Sequence, residues 1–213
     1  MIYSIEGIIG AGKSTLCAIL RTHGISVVPE PLGEWVLAHP DGGKPVNVLT
    51  EFYKDPNQRA YLFQSFCLRT RVEQVRDLAP LATHIIERSI DADAIFGSIQ
   101  YQEGRMDPTE YAVYRYNYQQ AKKDTPCIQG RIYVKTSVGT AFERIQRRSR
   151  NGETAIDVAY LSKLETEHEA WLAKDPHVLV VDGEQDFFDE GVQARLLKQV
   201  HAFLIAPGEQ TVG

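Results

Sequence analysis

The chain has 213 residues, 43% hydrophobic and 24% charged, as expected of one α/β domain with a sizeable core. Its 23 Lys and Arg against 28 Asp and Glu leave a net charge of −5, which argues against a nucleic-acid backbone as the main partner. Cys17, Cys67 and Cys127 show no disulfide or zinc spacing, no apolar run would span a bilayer, and the first strand begins at once with no room for a targeting peptide, so a reducing, cytoplasmic setting is expected.

In chain order, Ile2–Glu6 reads as a short buried strand. It runs into Gly7-Ile8-Ile9-Gly10-Ala11-Gly12-Lys13-Ser14-Thr15, which fits G-x-x-x-x-G-K-[ST], and Thr15–Arg21 reads as the helix that follows. This is the strand–loop–helix context of a phosphate-binding loop. Its glycines let successive backbone N–H groups turn toward one point, and the helix N-terminus adds positive potential there. Lys13 would reach the β- and γ-phosphates, and the Ser14 hydroxyl would ligate Mg²⁺. A nucleoside triphosphate is therefore the expected ligand.

Four further strands are expected, at Ser26–Pro29, Thr83–Glu87, Arg131–Thr136 and Val178–Asp182. They are Val- and Ile-rich and mostly lack alternation, as in a parallel sheet covered on both faces. With helices between them, the pattern gives a P-loop NTPase-like α/β fold: a five-stranded parallel sheet flanked by helices, with ligands at the carboxyl ends of the strands. Residues 1–205 are read as one domain and 206–213 as a polar, frayed tail.

Several residues at those strand ends suit chemistry. Glu30, stopped by Pro31, would stand near the phosphate loop and take the proton of an attacking hydroxyl; alone, it would read as a solvated loop glutamate. Gln64, Leu68 and Arg71 share one face of the helix expected from Arg59 to Asp77, flanked by Phe63 and Phe66, and that face would read a planar heterocycle or else lie in water. Glu87 ends an apolar strand as a Mg²⁺-holding acid does, and Arg88 after it would stabilise charge on a transferring phosphoryl group. Asp182 also ends a strand but lies so late that it reads as the last strand's terminus. Tyr111, Tyr114 and Tyr118 form a packing stripe, for core or a subunit contact. His168 reads as a core histidine. Arg144, Arg147, Arg148 and Arg150 read as a solvated face or as a lid that closes over phosphates.

Taken together, these motifs resemble the deoxynucleoside kinases of the deoxycytidine, deoxyguanosine and insect multisubstrate type, from Ile5 to about Phe188. The resemblance rests on the loop from Glu6 to Thr15, Glu30-Pro31 with Trp35, Phe52 to Pro56, Phe63-Gln64, Glu87-Arg88-Ser89, the arginines 144, 148 and 150 with Glu153, and Tyr160 through Leu172. It implies transfer of the ATP γ-phosphate to the 5′-hydroxyl of a deoxynucleoside, in nucleotide salvage, by a homodimer using Mg²⁺. It implies Glu30 as general base, Arg88 and Lys13 at the phosphoryl group, and Ser14 and Glu87 at the metal. Tyr53 and Glu153 would hold the sugar 3′-hydroxyl, Gln64 the base, and Ile9, Trp35, Phe63 and Phe96 the pocket walls. Gly7, Gly10, Ala11, Gly12, Lys13, Ser14 and Thr15 would cradle the donor phosphates, Arg144, Arg148 and Arg150 would form the lid, and Asp186-Phe187 would flank the donor's base.

Two departures from the family pattern bear on substrate. The stretch Ile90–Phe96 is one residue short; the base-contacting acid that the family pairs with an arginine, here Arg71, is assigned to Asp93, with Asp91 as the alternative. Gly152 stands where the family has an acid beside Glu153. An Arg71–Asp pair favours amino-bearing or purine bases over thymine, whose O4 only accepts. The rival enzyme, a thymidylate-type monophosphate kinase, would bring a substrate phosphate against Glu30. A guanine-nucleotide switch would need an Asn-Lys-x-Asp motif, which the chain lacks.

Overall fold

The computed structural model describes residues 1–79, 82–148, 153 and 156–205. In chain order its elements begin with β1 (Ile2–Glu6), α1 (Lys13–Thr22), β2 (Val27–Val28), β3 (Val36–Leu37), β4 (Val46–Asn47), α2 (Val48–Lys54) and α3 (Pro56–Arg76). Then come β5 (His84–Glu87), α4 (Ile90–Gln102), α5 (Pro108–Asp124), β6 (Ile128–Lys135), α6 (Val138–Arg148), α7 (Val158–Leu172), β7 (Val178–Asp182) and α8 (Glu190–Ile205).

The five expected strands form one sheet in the order β2-β5-β1-β6-β7, every pairing parallel. β1 lies in the middle and is buried along its whole length, which is why its sequence does not alternate. Helices close both faces, and Tyr3, Ile5, Ile85, Ile132 and Val134 join Leu16, Leu20, Leu161 and Leu164 in the main core. A second apolar cluster gathers Trp35, Phe52, Phe63, Cys67 and Met106 beside the carboxyl edge of the sheet.

Local chemistry sets the helix starts. Asn47 caps α2 by accepting the Thr50 N–H at 2.9 Å. Asp55 caps α3 and is followed by Pro56, whose missing N–H has no partner to lose at a helix start. Asp107, Pro108 and Glu110 make a full capping box on α5. α4 and α5 approach so closely at Gly97 that a Cβ there would stand 2.2 Å from the Tyr114 ring.

The sequence reading did not foresee the antiparallel hairpin β3–β4, nor that β6 starts at Ile128, before Arg131. Asp182 ends the edge strand β7, where it accepts the Glu184 N–H and the Gln185 amide. Of the tyrosine stripe, Tyr114 is core and donates to the Asp93 carbonyl at 2.7 Å, while Tyr111 stacks on Tyr101. Arg150, Gly152 and the segment 206–213 lie outside the described residues.

His168 sits fully buried on α7, donates from Nδ1 to the Leu164 carbonyl at 2.7 Å and meets Phe96 and Trp171 edge-on. Burial, seconded by the Arg88 charge, pushes it down to about 3. Below its ordinary value the unfolded chain takes a proton that the folded chain refuses, so stability falls as pH falls. The His168 share should be about 1.4 kcal/mol per pH unit below roughly 6.5. Urea unfolding at successive pH values from neutral downward should show this slope, and His168→Gln should flatten it.

Candidate active site

The carboxyl ends of β1, β2 and β5 converge on the phosphate loop. Gly12 caps α1 with φ 102°, so Lys13 and Ser14 open the helix with their N–H groups facing the loop mouth. Lys13 is 6% exposed and donates from Nζ to the Ile8 carbonyl at 2.8 Å. Burial and the Arg88 charge push its ammonium down to about 7. Ser14 donates from Oγ to Glu87 Oε1 at 2.6 Å, and the other Glu87 oxygen accepts the Glu30 N–H at 3.4 Å. Glu87 thus ties the phosphate loop to the end of β2.

Arg71 is the deepest cation among the described residues, 1% exposed in the middle of α3. It donates from Nε to Asp93 Oδ2 at 2.6 Å, from Nη2 to Glu30 Oε1 at 3.2 Å, and from Nη1 to the Glu87 and Arg88 carbonyls at 2.9 and 3.1 Å. Burial works against its charge, but Asp93 and Glu30 outweigh it and raise its pKa further. Arg88, whose carbonyl Arg71 holds, has φ 69°, a left-handed conformation that costs a non-glycine residue about 1–3 kcal/mol. Its guanidinium lies 4.6 Å over the Phe96 ring and 3.5 Å from Glu30, and its Nη1 has no hydrogen-bond partner among the described residues. Burial would raise the Glu30 pKa, but Arg88, Arg71 and Lys13 overcome it and hold the carboxyl below its ordinary value.

Two clefts meet here. The first, about 640 Å³, is lined by every residue expected to hold a nucleoside: Ile9, Glu30, Trp35, Tyr53, Phe63, Gln64, Arg71, Arg88, Asp93, Phe96 and Glu153. Trp35 donates to Thr70 Oγ1 at 3.1 Å and meets Phe63 edge-on, which in turn stacks on Phe52. Gln64 is 3% exposed, and its amide has no protein partner among the described residues. Arg148 grips Glu153 with two bonds, of 3.0 and 2.6 Å, beside Tyr53.

The second cleft, about 1280 Å³, is lined by Gly10, Gly12, Lys13, Ser14 and Thr15, by Arg144, Arg147 and Arg148, and by Glu184 through Phe188. Phe187 packs on Gly12. Gly10, Lys13, Ser14 and Arg148 line both clefts, so the phosphate loop is their shared wall.

Gly7 and Ala11 are buried behind the cleft walls, and a Cβ on Gly7 would stand 2.7 Å from the Val134 carbonyl. The expected face of α3 is corrected. Leu68 turns into the α4–α5 core and Phe66 lies roughly opposite Gln64 on α3. Cys67, one turn from both Gln64 and Arg71, lines the first cleft in their place, as the helical spacing would have told. Leu32 and Leu49 also line it without having been foreseen. Asp91 is absent from that cleft: it is held by Tyr118 at 2.6 Å and by Lys122 and Arg131 at 2.8 Å, which leaves Asp93 as the acid beside Arg71.

A parallel sheet whose phosphate loop separates two clefts defines a phosphotransferase that works between two nucleotide-sized ligands. The chain matches the deoxynucleoside kinase family over residues 3–205 and belongs to it. It is 35% identical over 212 residues to a probable deoxycytidine kinase of Fowlpox virus, spanning 94% of this chain and 87% of that protein. Against Homo sapiens deoxycytidine kinase the identity is 30% over 240 residues, spanning 94% and 90%. A solved structure of deoxyadenosine kinase from M. mycoides, with products dCMP and a flexible dCDP bound, superposes with a TM-score of 0.76 at 27% identity and covers 95% of this chain and 99% of that one. The chain is thus an ATP-dependent deoxynucleoside kinase, in preference to a monophosphate kinase of thymidylate type.

Arg71→Met should leave Asp93 buried without its partner and lower the unfolding free energy by about 3–5 kcal/mol. Arg71→Met with Asp93→Ala should recover a large part of that loss. Chemical denaturation of the two variants beside the parent checks it.

Proposed function

We propose that the first cleft takes the deoxynucleoside and the second the ATP, with Glu30 accepting the 5′-hydroxyl proton as the γ-phosphoryl group transfers. The observation that carries this reading is the shared wall: Lys13 and Ser14 border both clefts, and Glu30 and Arg88 face the first from the ends of β2 and β5. Lys13, Arg88 and the arginines of α6 stabilise charge on the moving phosphoryl group, and the site acts by positioning and electrostatics. The Tyr53 hydroxyl and Glu153 hold the sugar 3′-hydroxyl, and Arg144 and Arg148 close over the donor beside Asp186 and Phe187.

Ser14 and Glu87 present a hydroxyl and a carboxylate oxygen 2.6 Å apart beside the loop, a hard-oxygen pair that fits Mg²⁺. When bound, that ion would neutralise charge on the β- and γ-phosphates.

For base choice, the reading rests on Gln64 and the Arg71–Asp93 pair in the floor of the first cleft. An amide and a carboxylate accept from the exocyclic amine of cytosine or adenine, which favours deoxycytidine and deoxypurines. The named substrates of the relatives point the same way. We also propose a homodimer, in which a second copy covers the exposed Leu62, Tyr101, Val113 and Tyr116 of α3, α4 and α5.

Release of ADP from Mg·ATP should appear with deoxycytidine or a deoxypurine nucleoside and not with the monophosphates or without an acceptor. Turnover on thymidine alone would sink the base assignment. Glu30→Gln should still bind nucleoside while kcat falls roughly 10²–10⁴-fold; undiminished turnover would remove Glu30 from the role of base. Light scattering on a sizing column should give twice the chain mass.

A further inference from the structure

Among the described residues, Glu6 is the wholly buried carboxylate at the heart of the site that the proposed chemistry leaves without a task. It ends β1, immediately before the phosphate loop, is 0% exposed, and borders neither cleft. Its Oε1 accepts the Ser89 N–H at 3.0 Å. Burial raises its pKa, against the lowering pull of Ser89, the Arg88 charge, Ser4 and the Arg71 charge, and its Oε2 has no hydrogen-bond partner among the described residues. The bond it accepts comes from a main-chain donor, and the charges that act on it, Arg88 and Arg71, are cations, which an accepting carboxylate suits.

Ser89 follows Arg88, the described non-glycine residue with positive φ. The strained residue is held on three sides: its own N–H donates to the Ile5 carbonyl at 3.0 Å, its carbonyl accepts from Arg71 at 3.1 Å, and the next N–H is taken by Glu6. Without the third hold the peptide after Arg88 would keep only the Arg71 bond to its carbonyl, and the strained residue would be freer to relax and carry the guanidinium away from Phe96 and Glu30.

We infer that Glu6 is a positioning residue, which acts through the Ser89 N–H and the Arg88 charge to keep the Arg88 guanidinium aimed into the site. The inference rests on the reading of Arg88 as the phosphoryl-stabilising group. Glu6 touches neither substrate, so its removal should cost turnover and spare nucleoside binding.

The test is a double-mutant cycle. Glu6→Gln keeps the shape but removes the negative charge that faces Arg88 and Arg71. In the parent it should lower kcat by about tenfold or more with the nucleoside KM held within about threefold. In an Arg88→Ala background the same change should cost less than about twofold, because the group it positions is gone. Unaltered kcat in Glu6→Gln, or an equal loss in both backgrounds, would overturn the inference. Full turnover in Arg88→Ala alone would instead remove the reading of Arg88 on which it stands. Should Glu6→Gln fail a nucleoside-binding check of its fold, Glu6→Asp enters the same cycle: it keeps the charge but draws the oxygen back from Ser89, and the same kcat loss is expected.

Discussion

The site depends on one buried guanidinium. Arg71 joins α3 to α4 through Asp93, to the end of β2 through Glu30, and to the end of β5 through two main-chain carbonyls. The planar fork of arginine can serve these divergent acceptors at once, while a lysine offers a single point charge. A buried cation is tolerated only when its partners are all in place, so Asp93 in the first cleft and Glu30 and the end of β5 beside the phosphate loop answer to one centre. The left-handed Arg88 is affordable because Arg71 and Glu6 grip the chain on either side of it.

Around that centre the charges alternate. Lys13, Arg71 and Arg88 are interleaved with Glu6, Glu30, Glu87 and Asp93, most of them buried. The cations lean on carboxylates or on the Ile8 carbonyl. An entering phosphate would find donors already gathered, with little reorganisation left to do, which is the condition under which fixed dipoles and charges assist a reaction most.

Much of this was legible in the residues. Short unalternating Val and Ile runs told of a covered parallel sheet, and the carboxyl ends of those runs told where the clefts open. Lys13, Ser14, Glu30, Glu87 and Arg88 followed from that placement and from phosphate chemistry. Tyr53, Phe96 and Glu153 came from family resemblance, since nothing in their local pattern marks them. The hairpin β3–β4 escaped because two residues per strand carry no periodicity. Leu68 was misplaced because an apolar residue beside Gln64 suits a ligand face and a core face equally. The packing of α4 and α5 against α3 decides between them, and sequence spacing does not contain it.

Gly10 shows how tertiary packing narrows a local motif. In G-x-x-x-x-G-K-[ST] its position is written as open to any residue. Here it has φ 81°, and a Cβ would stand 2.4 Å from the Ala141 carbonyl in α6. The bend of the loop and the seat of the arginine-bearing helix are therefore machined to one tolerance. A change at residue 10 that leaves the written pattern intact would displace the helix that carries Arg144 and Arg148, so the freedom a consensus grants each position has to be recounted inside the fold that uses it.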